Sequence, residues 1–401
     1  MQQLLKNRIY VLILGSDTLQ NLAYWIRSMT LLFYILEVTD NNPIAVSILT
    51  VLHTVPILIF SIIGGVFADR WIPKKTMIYA DIFSVISVVG AMFLVYLGYW
   101  QAVFFISFIA AVVGQFSGPS SLKVIKRNLE KESINIGISL SQTLNSLFII
   151  LGPVIGTVVY EIFKINALYI LIVLYSCSLL LLIRLPIEDY RETIKTHIWI
   201  DFKDGIKYIW QIRQLKTIAI AFLIAGLSVG LYVPLEVFIV TERLLLDKEF
   251  IQYFITAEGI GMLTGAIGVG VISRKIKVET IIQLTLFILS ISIVLQVLSS
   301  FVVFTLLIRF IGGFFLGMMH ACVSIIIMNT VEDKFIARAN GVITPLFTAT
   351  SLIGSALGGP IMHTTSLYIV FILSSIIMLI SALYSLSFNK RKIDKDCKKC
   401  V

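Results

Sequence analysis

Long apolar runs recur along the whole chain, separated by short polar or charged stretches. Twelve can be marked, at roughly 9–36, 44–68, 76–98, 101–124, 134–160, 165–185, 215–241, 251–272, 279–299, 301–328, 336–362 and 366–388. Each is long enough to cross a hydrocarbon core of about 30 Å as a helix. The pattern predicts an all-α integral membrane protein with twelve transmembrane helices, arranged as two six-helix bundles. The predicted organisation is an N-terminal half over 1–185, a linker over 186–214, a C-terminal half over 215–390 and a basic tail over 391–401. Within the linker, Ile198 to Trp210 repeats apolar residues at helical spacing with basic residues between them. That predicts a short amphipathic helix on the membrane surface.

Charge fixes the orientation. An even number of spans puts both termini on one side. With the N-terminus inside, the inner segments collect 27 of the 32 Lys and Arg, and the outer loops hold only Lys164, Arg243 and Lys248. Such an asymmetry is the positive-inside pattern, so both termini are expected in the cytoplasm. Composition agrees: 58% of the 401 residues are hydrophobic and 14% are charged, which excludes an ordinary soluble domain. The net charge of +9 does not imply nucleic acid, because the basic residues lie between the apolar runs. A cleavable signal peptide is not expected, since the first run is long and carries Asp17, Asn21 and Arg27. Four scattered cysteines exclude a disulfide scaffold, and Cys397-Lys398-Lys399-Cys400 lacks the further ligands a zinc site needs.

A weak internal repeat joins the halves at an offset near 202 residues, with Gly152 and Gly156 meeting Gly354 and Gly358. Two six-span repeats around a midplane site is a transporter arrangement. The sharpest hinge is Gly64-Gly65-Val66-Phe67-Ala68-Asp69-Arg70-Trp71-Ile72-Pro73-Lys74-Lys75, between the second and third spans on the cytoplasmic face.

No metal, triad or phosphate-loop pattern is present. Glycines from Gly259 to Gly270 sit in an apolar span, where close helix packing explains them. The informative residues are ionisable groups inside spans, which are expensive in lipid unless they face a cavity or a partner. In the first span Asp17, Gln20, Asn21, Tyr24 and Ser28 form one polar stripe flanked by Arg27. Glu236, just after Pro234, and Glu258 and Arg309 join Arg27 in the outer half by depth. Two acids and two bases at similar height can pair. One reading has Arg27 and Glu236 closing an outer gate while an acid carries protons, because a carboxyl taken out of water holds a proton more readily. The alternative is two static ion pairs. His53 and His320 are read as packing residues.

The hinge resembles a family signature. Gly65-x-x-x-Asp69-Arg70 followed by Lys74-Lys75 is similar to the loop two–three motif of the major facilitator superfamily, with Phe67 and Ile72-Pro73 departing from it. The resemblance implies that Asp69, and less directly Arg70 and Lys74, steady the contact between the halves on the cytoplasmic side. Gly152-Pro153-Val154-Ile155-Gly156 resembles the span-five antiporter signature, although Thr157 replaces its last glycine. That likeness implies export. Arg309-x-x-Gly312-Gly313 resembles a span-four signature shifted to span ten. The linker from Asp201 to Trp210 and Ala337-Arg338-Ala339-Asn340-Gly341 are similar to the macrolide-efflux and enterobactin-exporter branch.

The resemblance implies a transporter rather than an enzyme. It would need no cofactor beyond a proton gradient. Its partners would be a small-molecule substrate, protons and membrane lipid, with no nucleic acid. The expected location is the bacterial cytoplasmic membrane. An amphipathic drug or macrolide is the first substrate reading. Siderophore export is the alternative, since Arg27 and Arg309 would suit an anionic cargo; nutrient uptake and lipid flipping are further ones.

Overall fold

The computed structural model describes residue 4 and residues 6–186, 198–331 and 333–388, with the helical side chains at 61–70, 131–132, 198–202, 204–205 and 333–340 outside the described set. Twelve long helices run through these residues. The first six are α1 (Arg8–Val38), α2 (Pro43–Arg70), α3 (Pro73–Tyr96), α4 (Val103–Asn128), α5 (Lys131–Phe163) and α6 (Ala167–Ile183). A linker helix follows at Ile198–Gln211. The second six are α7 (Arg213–Tyr232), α8 (Ile251–Ile272), α9 (Val278–Leu298), α10 (Val302–Thr330), α11 (Asp333–Thr364) and α12 (Leu367–Ser385).

Local chemistry sets several boundaries. The Asn7 side chain accepts from the Ile9 and Tyr10 amides at 3.0 and 3.2 Å and starts α1. Pro73 opens α3, where its missing N–H leaves no unmet donor. The charged hinge of the sequence is tighter than its composition suggests. Helix α2 runs through Arg70, so only Trp71 and Ile72 separate it from α3.

Among the described residues ten segments are long and apolar enough to cross a membrane, and one of them, Ser133–Ile183, takes in most of α5 and all of α6. Those two helices are parted by a single turn at Lys164–Asn166, entered through Lys164 at φ 51°. The remaining long helix is α1, whose polar stripe lowers its hydropathy. Helix α3 turns Tyr79, Phe83, Ile86 and Phe93 outward, which suits a lipid-facing surface.

The chain divides into two compact units, Met1–Ile198 and Trp199–Val401. In the first, α1 packs on α5 and α6, α2 on α4, and α3 on α4 and α6. In the second, α7 packs on α11 and α12, α8 on α10, and α9 on α10 and α12. The same five pairings therefore occur twice. The glycines explain one of them in detail. A Cβ at Gly152 or Gly156 would meet Trp25 or Met29 of α1, and one at Gly354 or Gly358 would meet Leu227 or Leu231 of α7. Trp25 and Leu227, like Met29 and Leu231, are themselves 202 residues apart. The repeat that is faint in sequence is thus carried by matched close contacts. Small residues let backbones approach where lipid supplies no hydrophobic drive between helices.

The seventh span runs over Arg213–Arg243, and its outer end is irregular. Helix α7 stops at Tyr232, and a tight turn at Val233–Leu235, a short α-turn at Glu236–Phe238 and a wide turn at Ile239–Arg243 follow. Pro234 causes this, since it cannot donate to the helix ladder.

Candidate transport site

The broken end of α7 places Glu236 in the interior of the second unit. Both of its carboxylate oxygens accept from Arg309 of α10, one from each terminal nitrogen of the guanidinium. Arg309 Nη2 also lies 2.9 Å from Glu258 Oε2 of α8, and Nη1 donates to Gln296 Oε1 of α9 at 3.3 Å. Tyr232, Ser292 and Gly312 help close a cavity of about 10 Å³ over the group, room for one water at most. One guanidinium, its side chain 3% exposed, thus meets two carboxylates, of which Glu258 at 21% is more open than Glu236 at 10%. With both acids ionised the group carries a net charge of −1.

Glycines bring these side chains together. A Cβ at Gly261 or Gly265 of α8 would strike the carbonyl of Phe310 or Phe314, and one at Gly313 or Gly317 of α10 would strike that of Glu258 or Met262. Helices α8 and α10 therefore touch backbone to backbone. Gly313, one turn beyond Arg309, rests on the Glu258 backbone, so the ion pair and the glycine contact form one register.

The sequence reading pairs Glu236 with Arg27; within its own unit, both Glu236 oxygens are taken by Arg309. Depth along separate spans could not tell which base faced which acid. In the first unit Arg27 of α1 lies over the Tyr24 ring at 5.3 Å, and its Nη1 donates to the Tyr175 hydroxyl of α6 at 3.5 Å.

The polar stripe of α1 fans out to four neighbours. Ser121 of α4 donates to both Asp17 oxygens, at 2.9 and 3.2 Å. Asn21 donates to Asn145 Oδ1 of α5 at 2.8 Å. The Tyr24 ring stands 6.2 Å from that of His53 on α2. Gln20 donates to Asp81 Oδ1 of α3 at 2.9 Å. The sequence pattern does not single out Asp81. It sits only eight residues into α3, near the cytoplasmic end of the third run, and it is 1% exposed. An acid that returns every three or four residues to small or apolar side chains and a hydroxyl (Met77, Ala80, Ser84, Val88) is the available signal.

Of the hinge signature, the side chains of Gly65, Asp69 and Arg70 lie outside the described residues. Lys74 is described, and its ammonium donates to the Leu185 carbonyl at 2.6 Å, tying the start of α3 to the end of α6. Gly152, Pro153 and Gly156 lie buried in α5 against α1. Ala337 to Asn340 fall outside the described side chains, and Cys397 and Cys400 outside the described residues. Among the described residues no group of His, Cys, Asp and Glu could hold a metal ion.

The sequence profile of a major facilitator family described as transmembrane secretion effectors matches residues 3–400. The chain belongs to this family. It is therefore a membrane transporter, and not an enzyme. Among curated relatives it is 27% identical to an uncharacterised transporter of the superfamily, YkuC of Bacillus subtilis, over 65% of the chain and 64% of the relative. It is 23% identical to the multidrug efflux pump Tap of Mycolicibacterium fortuitum, over 85% and 86%. It is 25% identical to macrolide efflux protein A of Streptococcus pyogenes, spanning about half of each at 53%. The fold is that of the solved nucleoside transporter NupG, with a TM-score of 0.76 over 95% of the chain and 99% of NupG at 12% identity. The transporter thus has the fold expected from its apolar runs.

Proposed function

We propose that the protein exports a small amphipathic organic molecule across a bacterial cytoplasmic membrane in exchange for protons, by alternating access of its two halves. Both termini would lie in the cytoplasm, as the charge asymmetry supports. The similarity to Tap and to macrolide efflux protein A supports export of drug-like compounds.

The observation that carries proton exchange is an acid surplus repeated in each unit. Asp17 and Asp81 share the interior of the first unit with Arg27, and Glu236 and Glu258 share that of the second with Arg309. Among the described residues, each of these clusters thus holds two carboxyls and one guanidinium. Unbalanced charge inside a membrane protein is costly and marks ion or proton pathways. A surplus acid is relieved by a proton or by a cationic cargo, and exchange of one for the other is antiport. Arg309 is already engaged by two carboxylates, so it gives no support to an anionic cargo. The siderophore reading accordingly keeps only Arg27, and a cationic amphipath fits better.

The test uses everted vesicles with ethidium as the probe. An imposed pH gradient should drive accumulation, and Glu258→Gln and Asp17→Asn should each weaken it. Full gradient-driven transport in both variants would overturn the proton-coupled reading.

A further inference from the structure

By solvent exposure, Asp81 is the most enclosed described carboxyl of the first unit, and it has an environment of its own. Its Oδ2 accepts from Ser178 Oγ of α6 at 2.6 Å. Ser178 Oγ in turn lies 2.8 Å from Ser16 Oγ of α1, with either hydroxyl able to donate. Its Oδ1 accepts from the Gln20 amide, and Gln20 Oε1 stands 3.5 Å from Ser117 Oγ of α4. Ser16 and Ser178 are wholly buried. Among the described residues, no guanidinium or ammonium reaches Asp81. The titratable groups facing it are Asp17 from α1 and Tyr175 from α6. Tyr175 holds the Arg27 contact, and the first charged residue of α4 towards its basic end is Lys123, past Ser121.

We infer that Asp81 is a proton-binding group of the transporter, whose charged and neutral states are both satisfied by reversal of the Ser178–Ser16 hydroxyl pair. The donor count carries this. With Asp81 ionised, Ser178 donates to Oδ2 and Ser16 donates to Ser178. With the proton on Oδ2, Asp81 donates to Ser178, and Ser178 donates to Ser16. The Gln20 N–H donates to Oδ1 in both states. No heavy atom has to move, and each of the Asp81 Oδ2, Ser178 and Ser16 oxygens keeps a hydrogen bond in both states. An amide or a lysine in place of the serines could not reverse in this way, because their donors are fixed. A buried carboxylate without a cation is otherwise expensive. Asp17, three residues from Gln20 on α1, is more exposed than Asp81. The inference deepens the proton-coupled reading and rests on it for its part in transport, but proton binding itself can be tested separately.

The experiment is infrared difference spectroscopy across a pH titration of the full-length protein in lipid nanodiscs. The wild type should show the C=O stretch of a buried protonated carboxylic acid that comes and goes with pH. Asp81→Asn should remove the component of that band that belongs to Asp81, leaving any from Asp17, Glu236 or Glu258. Ser178→Ala keeps the carboxyl but breaks the reversible pair, so the band should remain with a changed frequency and midpoint. Should Asp81→Asn fail to fold, Ser178→Ala decides alone. A titrating band indifferent to both substitutions, or no such band in the wild type, would overturn the inference. Transport in the same preparation keeps the two readings apart. A titrating Asp81 band with no response of wild-type transport to a pH gradient sinks only the coupled reading. Gradient-driven transport without the band sinks only the assignment to Asp81.

Discussion

Replacing Arg309 by Met tests whether the buried ion cluster is held by its charge balance. Arg309 is 3% exposed and is the base that Glu236 and Glu258 share. Met is unbranched and uncharged, so it fills much of the space while leaving two carboxylates facing each other. Removing one partner of a buried pair costs about 3–5 kcal/mol, because the charge left behind is uncompensated. Loss of an ordinary hydrogen bond would cost only about 0.5–1.5 kcal/mol. At about 1.36 kcal/mol per tenfold, the larger figure is roughly two to four orders of magnitude in the folding equilibrium. The triple variant Arg309→Met, Glu236→Gln, Glu258→Gln removes both orphaned charges and should recover most of that loss. The assay is thermal unfolding of purified protein in detergent, ranking wild type, single and triple variants. A single variant as stable as the wild type, or a triple variant no better than the single, would refute the charge-balance argument.

Three further substitutions probe the packing and the hinge. Gly265→Ala drives a methyl onto the Phe314 carbonyl where α8 meets α10, and should destabilise by about 1–3 kcal/mol as overpacking does. Gly270→Ala on the same helix meets nothing within 4 Å, and should be neutral or slightly stabilising in the same thermal assay. Asp69→Asn should lower transport in vesicles while leaving membrane insertion and melting temperature unchanged, since the family likeness gives Asp69 a part in switching between states. Unchanged transport in that variant would reduce the hinge to topology.

The number and placement of the membrane helices are legible in the chain alone. Each helix must satisfy its own backbone in lipid, which makes length and apolarity nearly sufficient signals. Even α1, too polar to stand out by composition, can be read because its polar residues keep a helical period. The basic residues between the runs carry the expected orientation in the same local way. The repeat is faint in letters yet true in structure, because Gly152, Gly156, Gly354 and Gly358 need only smallness and so constrain little else of their surroundings.

Which side chains become partners is settled by packing. Arg27, Glu236, Glu258 and Arg309 can be ranked by depth, but which base meets which acid depends on helix rotation. That rotation is set by glycine contacts between α8 and α10 and by the break after Tyr232. Asp81 shows the same limit. It lies inside the third apolar run, but nothing along that run says which residues of other helices it meets. It becomes an interior carboxyl because α3 turns that side towards Gln20 of α1 and Ser178 of α6, each far from it in the chain. Periodicity fixes that a face exists, and packing fixes what it meets.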